Sequence, residues 1–213
     1  MKRETIQQLF EWKRRANRKP LIIRGARQVG KTWLMMEFAR QAYVKWVYVN
    51  FEDEEMLQHL FEPDFDITRI LTALSLRFQV DVDEETLIIF DEIQAAPRGV
   101  TSLKYFYEKA PQYHIITAGS LLGIAMHKGD SFPVGKVDFL QLEPMNFKEF
   151  LIATGHEKLA ELIAGGAWDS LTYVKDKLVQ LLRTYYYVGG MPEAVKTYCD
   201  GQGFDEVRRV QQN

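Results

Sequence analysis

The segment from Leu21 to Ala42 constrains this chain more than any other. An apolar run, Leu21-Ile22-Ile23-Arg24, leads into Gly25-Ala26-Arg27-Gln28-Val29-Gly30-Lys31-Thr32, and helical spacing then carries Leu34, Met35, Phe38 and Ala39. The octapeptide fits G-x-x-x-x-G-K-[ST] at every position and has the context that pattern requires, a strand before it and a helix after it. Its glycines let the backbone wrap closely enough to aim consecutive N–H groups at phosphate oxygens, and the helix N-terminus adds its positive dipole end. Lys31 supplies a point charge for the β- and γ-phosphates, and the Thr32 hydroxyl supplies a ligand for a Mg2+ bridging them. The plain alternative is a glycine-rich turn that happens to carry Lys-Thr, and the strand-helix context argues against it. Arg27 fits a phosphate contact or a salt bridge to a neighbouring acid equally well. Trp33 reads as a core residue of the helix, with an adenine platform as the alternative. Gly25 to Trp33 make up the candidate nucleotide-binding set.

A second motif answers the first. Leu87-Ile88-Ile89-Phe90 is uninterrupted apolar sequence, as expected of a strand buried on both faces of a parallel sheet, and it ends in Asp91-Glu92. Carboxylates there emerge at the sheet edge where ligands bind in open α/β folds. Asp91 is the candidate second metal residue, and Glu92 is placed to orient or deprotonate a water attacking the γ-phosphate. A helix N-cap followed by a first-turn acid would look similar in isolation. Beyond them, His114 to Ala118 reads as a strand running into Gly119-Ser120, which makes Thr117 or Ser120 a candidate sensor of the γ-phosphate. Gln94 is a further candidate for positioning water.

The remaining pattern is strand and helix in alternation. Strands are expected at 45–50 and 137–142 besides those named, and helices at 4–16, 32–42, 54–60, 67–78 and 100–108. After Pro144 only helices are expected, at 147–151, 158–163, 170–188 and 193–198. This predicts a three-layer α/β domain over residues 1–145 and a helical lid or adaptor over 146–213. At 213 residues, with 46% hydrophobic and 26% charged residues, the chain is globular and needs no disulfide or structural metal. Cys199 is the single cysteine, so a reducing, cytoplasmic setting is the default. No apolar stretch approaches a bilayer span, and no membrane contact is expected. Basic residues crowd the first thirty positions although the net charge is −2. With the Tyr185-Tyr186-Tyr187 run they raise nucleic-acid contact as a secondary reading.

Together these blocks resemble a family, the additional-strand ATPases of the AAA+ superfamily, in particular the bacterial and archaeal group that reads Arg-Gln-Val-Gly-Lys-Thr in the P-loop. The resemblance rests on Ile23 to Thr32, Phe90-Asp91-Glu92-Ile93-Gln94, Thr117-Ala118-Gly119-Ser120, Phe132-Pro133-Val134-Gly135, Leu142 to Phe150 and Gly189 to Val195. It implies a five-stranded parallel sheet in the order 5-1-4-3-2, ATP and Mg2+ as ligands, a helical lid, and Ser120 as the first sensor. Similar proteins usually continue into a further C-terminal domain, so a fragment is one expectation for this chain. Similar proteins tend to carry arginine where Lys136 stands, which leaves the trans-acting cation unassigned, with Arg98 as an alternative.

The function expected is ATP hydrolysis with magnesium at the β–γ bond, catalysed by Lys31, Glu92 and Ser120 and moving a lid or a partner, with a homo-oligomer or a partner protein implied. A nucleotide-occupancy switch with negligible hydrolysis and a part of a nucleic-acid motor are the alternatives. No Asn-Lys-x-Asp guanine motif follows the second carboxylate block. Asp91-Glu92-Ile93-Gln94 fits a helicase box, but no second motor domain follows. A small-molecule kinase is the remaining enzyme class.

Overall fold

The structure, a computed structural model, describes residues 2–119, 133–166 and 168–212. The chain divides into two compact units, Thr5–Arg27 with Lys31–Leu142, and Met1–Glu4 with Gln28–Gly30 and Glu143–Asn213.

The first unit is built on a five-stranded parallel sheet of β1 (Leu21–Arg24), β2 (Trp46–Asn50), β3 (Leu87–Asp91), β4 (His114–Ala118) and β5 (Asp138–Gln141). The strand order β2-β3-β4-β1-β5 is the 5-1-4-3-2 order read from the other edge. β4 therefore lies beside the P-loop strand, pairing Ile22 with Thr117 on one side and Phe90 with Thr117 on the other. β3 is buried at all five positions, which explains its unbroken apolar sequence, whereas β2 alternates half-buried and buried residues. The period-two geometry of strands sorts the core. Ile22, Val47, Val49, Ile88, Phe90 and Ile115 share one cluster with residues of α4 (Ile67–Phe78) and α5 (Gly99–Lys109). Leu21, Ile23, Leu87, Ile89 and Ile116 are buried on the opposite face, where α2 (Lys31–Ala42) packs against β3 and β4 and α1 (Ile6–Arg14) packs against α2. Helices on both faces of a parallel sheet make the three layers. A short helix α3 (Glu55–Gln58) continues into a 3-10 turn at His59–Phe61, whose Phe61 meets Phe51 and Phe90.

The second unit carries the C-terminal lid-like helices α6 (Phe147–Ala153), α7 (Glu157–Ala164), α8 (Trp168–Thr172), α9 (Lys175–Val188), α10 (Pro192–Cys199) and α11 (Gly203–Gln212). Asn146 and Glu149 form a capping box that starts α6. Met145, Phe150, Val188, Ala194, Val195 and Val207 form one cluster of its core, and Leu151, Ala160 and Leu181 another. Two expectations change here. The helix expected at 170–188 is two helices, because Val174 leaves helical geometry, with a ψ of 13°, and Tyr173 faces solvent at 92% exposure. α11 was not expected at all; its Val207 is fully buried, although the apolar residues around it are sparse. No described helix is long and apolar enough to cross a membrane.

Candidate nucleotide and metal site

The loop after β1 has the backbone its sequence predicts. Gly30 stands at φ +90°, in the left-handed region that glycine tolerates and other residues rarely adopt, and Gln28 holds φ 64° without that licence. In the sheet unit, Lys31 opens α2 and folds its ammonium back over the loop, donating to the Gly25 carbonyl at 3.2 Å and the Ala26 carbonyl at 2.9 Å. It is 8% exposed, and burial lowers its pKa, opposed by Glu92 and Asp91 and assisted by Arg27. Its hydrogen bonds go to neutral carbonyls, so among the described residues no salt bridge has to be broken before it meets an anion. Ala26, Arg27 and Gln28 are exposed.

Thr32, the first residue after Lys31, donates its hydroxyl to Asp91 Oδ2 at 2.6 Å. The carboxylate stands at the C-terminal end of β3, is 2% exposed, and accepts a second bond at the same oxygen from the Tyr48 hydroxyl at 3.0 Å. Its Oδ1 accepts the Glu92 amide at 3.1 Å. Burial raises the Asp91 pKa, and the Thr32 and Tyr48 bonds oppose that rise. Tyr48 is a residue that the motif reading missed. A signal for it existed: β2 pairs in register with β3, Asn50 opposite Asp91, so Trp46, Tyr48 and Asn50 share the sheet face of Asp91.

Glu92 takes a left-handed backbone, φ 48°, which turns the chain off the strand and into the 3-10 turn Ile93–Ala95. Its carboxylate is half-buried and accepts from Gln94 Nε2 at 2.5 Å, while Gln94 Oε1 is buried with no partner among the described residues. The Thr117 hydroxyl on β4 is likewise fully buried and unpartnered among them. Ser120 and Phe132 lie outside the described residues. Trp33 is not a core residue: it is 37% exposed, because the buried stripe of α2 runs through Leu34, Met35, Phe38 and Ala39 instead. Lys136 pairs with Glu108 at 3.2 Å, and Arg98 stacks over Phe65 at 4.1 Å and donates to the Glu62 carbonyl.

The donor set suits magnesium. A hydroxyl and a carboxylate are the hard oxygen ligands that Mg2+ takes when phosphates and waters complete its octahedron. Among the described residues there is no larger His, Cys, Asp and Glu cluster that would make an all-protein metal cage.

A glycine loop between strand and helix, its lysine folded over it, and a threonine bonded to the aspartate of a second strand define a P-loop NTPase domain. The chain belongs to the AAA domain family, whose model matches residues 17–151. ATP binding and hydrolysis are the activity typical of such domains. No functionally curated protein matches the chain. Among solved structures, that of the Aeropyrum pernix Orc1 protein in complex with DNA is similar, with 15% identity and a TM-score of 0.46. The similarity covers 68% of this chain and 46% of that one, so the match spans less than half of that protein.

Proposed function

We propose that the protein binds Mg2+-ATP on the loop Gly25 to Thr32 and hydrolyses the β–γ bond, with residues 1–145 as the ATPase core and 146–213 as the lid or adaptor its cycle moves. The observation that carries this reading is the bond of 2.6 Å between Thr32 Oγ1 and Asp91 Oδ2, which draws the two motifs onto one point. Lys31 would neutralise phosphate charge, and Thr32 and Asp91 would hold the metal. When bound, the metal supplies electrostatic stabilisation of the charge that develops on the phosphoryl oxygens. Glu92 accepts the proton of the attacking water, and Gln94 offers to the same water its carbonyl oxygen, which has no partner among the described residues. Ser120 completes the catalytic set as sensor.

A second reading, a switch that binds ATP and hydrolyses it negligibly on its own, is favoured by the engagement of Lys136 with Glu108 and of Arg98 with Phe65 and Glu62. Phosphate release measured across protein concentrations separates the two. For the ATPase, Glu92→Gln leaves ATP affinity intact and lowers turnover by roughly 10²-fold or more, within the range general-base removal gives. Unchanged turnover in Glu92→Gln would refute the assignment. Binding without turnover in either protein would leave the switch. Lys31→Ala is expected to weaken ATP binding itself.

A further inference from the structure

Arg3 is 5% exposed, and its guanidinium reaches three acceptors from separate parts of the chain. Nε donates to Glu149 Oε1 at 3.1 Å, Nη1 to the Val29 carbonyl at 2.8 Å, and Nη2 to the Glu143 carbonyl. Glu149 is itself 3% exposed and already has a structural task, accepting from the Glu4 amide at 2.8 Å and the Asn146 amide at 3.1 Å in the box that caps α6. That cap is complete without an arginine. A buried guanidinium carries a desolvation cost that an apolar side chain of similar volume would not. What Arg3 adds is therefore specific to its two carbonyl bonds, and one of those carbonyls belongs to the P-loop.

The Val29–Gly30 peptide is trans, as are all described peptides. In a planar trans amide the C=O and the N–H point in opposite directions. A hydrogen bond that fixes the Val29 carbonyl against Arg3 consequently fixes the Gly30 N–H away from it. Gly30, at φ +90°, is the residue whose missing Cβ makes such a peptide easiest to flip. We propose that Arg3 is a positioning residue of the nucleotide cradle, holding the Val29–Gly30 peptide with its amide turned toward the phosphates. This rests on the cradle reading above. Because Glu149 neutralises the guanidinium, Arg3 acts by orientation and not by attracting the nucleotide's charge.

The test is calorimetric titration of the full chain with Mg2+-ATP, combined with amide hydrogen exchange of the nucleotide-free protein, for wild type, Arg3→Lys, Arg3→Gln, Glu149→Gln and Lys31→Ala. Losing one charge-assisted bond at the loop is expected to raise the Kd of both Arg3 variants about tenfold and to speed exchange of the Val29-Gly30-Lys31 amides by a similar factor. Glu149→Gln, which leaves both carbonyl bonds in place, should stay within about threefold of wild type. A Kd within about twofold of wild type in a folded Arg3 variant would overturn the proposal, since that is less than one charge-assisted bond contributes. So would an equal loss in Glu149→Gln, because the network would then act only as scaffold. If Arg3→Gln fails to fold, Arg3→Lys decides, since lysine can keep the ion pair but cannot span both carbonyls. An unchanged Kd in Lys31→Ala would instead refute the cradle reading, and a loss confined to Lys31→Ala would refute the role of Arg3 alone.

Discussion

Tyr48→Phe isolates one hydrogen bond to the Asp91 carboxylate, the metal residue of the proposed function. The substitution removes a hydroxyl and leaves the ring, so the packing of β2 is kept. Asp91 then retains Thr32 at Oδ2 and the Glu92 amide at Oδ1 and loses one donor of three. The Tyr48 hydroxyl is a dependable donor, because its burial and the nearby Asp91 charge both raise its pKa and keep it protonated. A bond to a charged group contributes about 1.5–3 kcal/mol, and Asp91 is too buried for water to replace the lost donor fully. The lower end of that range is about a tenfold change in equilibrium. Tyr48→Phe should therefore raise the Mg2+ concentration for half-maximal phosphate release by roughly tenfold, with turnover at saturating Mg2+ little changed. The pH dependence adds a second readout. The Tyr48 bond favours the ionised carboxylate, so its removal moves the already raised Asp91 pKa further up, and the acid limb of the ATPase profile shifts to higher pH. A Mg2+ requirement and an acid limb both equal to wild type would refute the assignment of Tyr48 and weaken that of Asp91.

Two further outcomes test the packing. Gly190→Ala should be severely destabilising, since a Cβ there would stand 2.2 Å from the Met145 carbonyl oxygen and 3.0 Å from its nitrogen, backbone atoms held by the Met145 N–H to Gly190 bond; a loss of about 3 kcal/mol, seen as a melting point lower by roughly 10 °C, is expected, and an unchanged melting point would contradict the close approach. His114 bonds the Tyr43 hydroxyl at 2.6 Å, and burial, with Arg18 and Lys13 nearby, pushes its pKa down to about 4. The unfolded chain binds a proton there from about pH 6.5 downward while the native state refuses it until near pH 4, so stability is full above that window and falls through it. Urea unfolding should show wild type losing more stability than His114→Gln between pH 7.5 and pH 5, on the order of 1 kcal/mol once solvent screening of a partly exposed ring is allowed for, and parallel losses would count against a neutral His114.

β3 was legible because burial on both faces of a parallel sheet writes itself as an unbroken apolar run, Leu87 to Phe90, whereas β2 and β5, half-buried or exposed at alternate positions, were legible to within a residue at their ends. The helical unit was less so. The helix expected at 170–188 rests on helical spacing of apolar residues, but periodicity reports a face and not continuity, and the helix is interrupted where Tyr173 turns to solvent. α11 is a sparse amphipath whose one fully buried residue, Val207, gains its place in a core cluster with residues as distant as Met145 and Phe150, which no local window contains.

The site divides along the same physical line. Gly25 to Thr32 and Asp91-Glu92 were legible because their chemistry needs fixed residue types at fixed spacing within a strand-loop-helix or a strand end. Tyr48 was half legible: the alternation of β2 puts it on one face, but only the pairing of β2 with β3 shows that the face is that of Asp91. Arg3 was not legible, because its partner Glu149 is 146 positions away and its bonds to Val29 and Glu143 are to carbonyls, which every residue has. Motifs record which side chains touch the ligand, while the groups that orient the backbone beneath them leave no spacing to find. A P-loop made of amides therefore depends on residues such as Arg3, which become visible only when each carbonyl behind an inward N–H is asked what holds it.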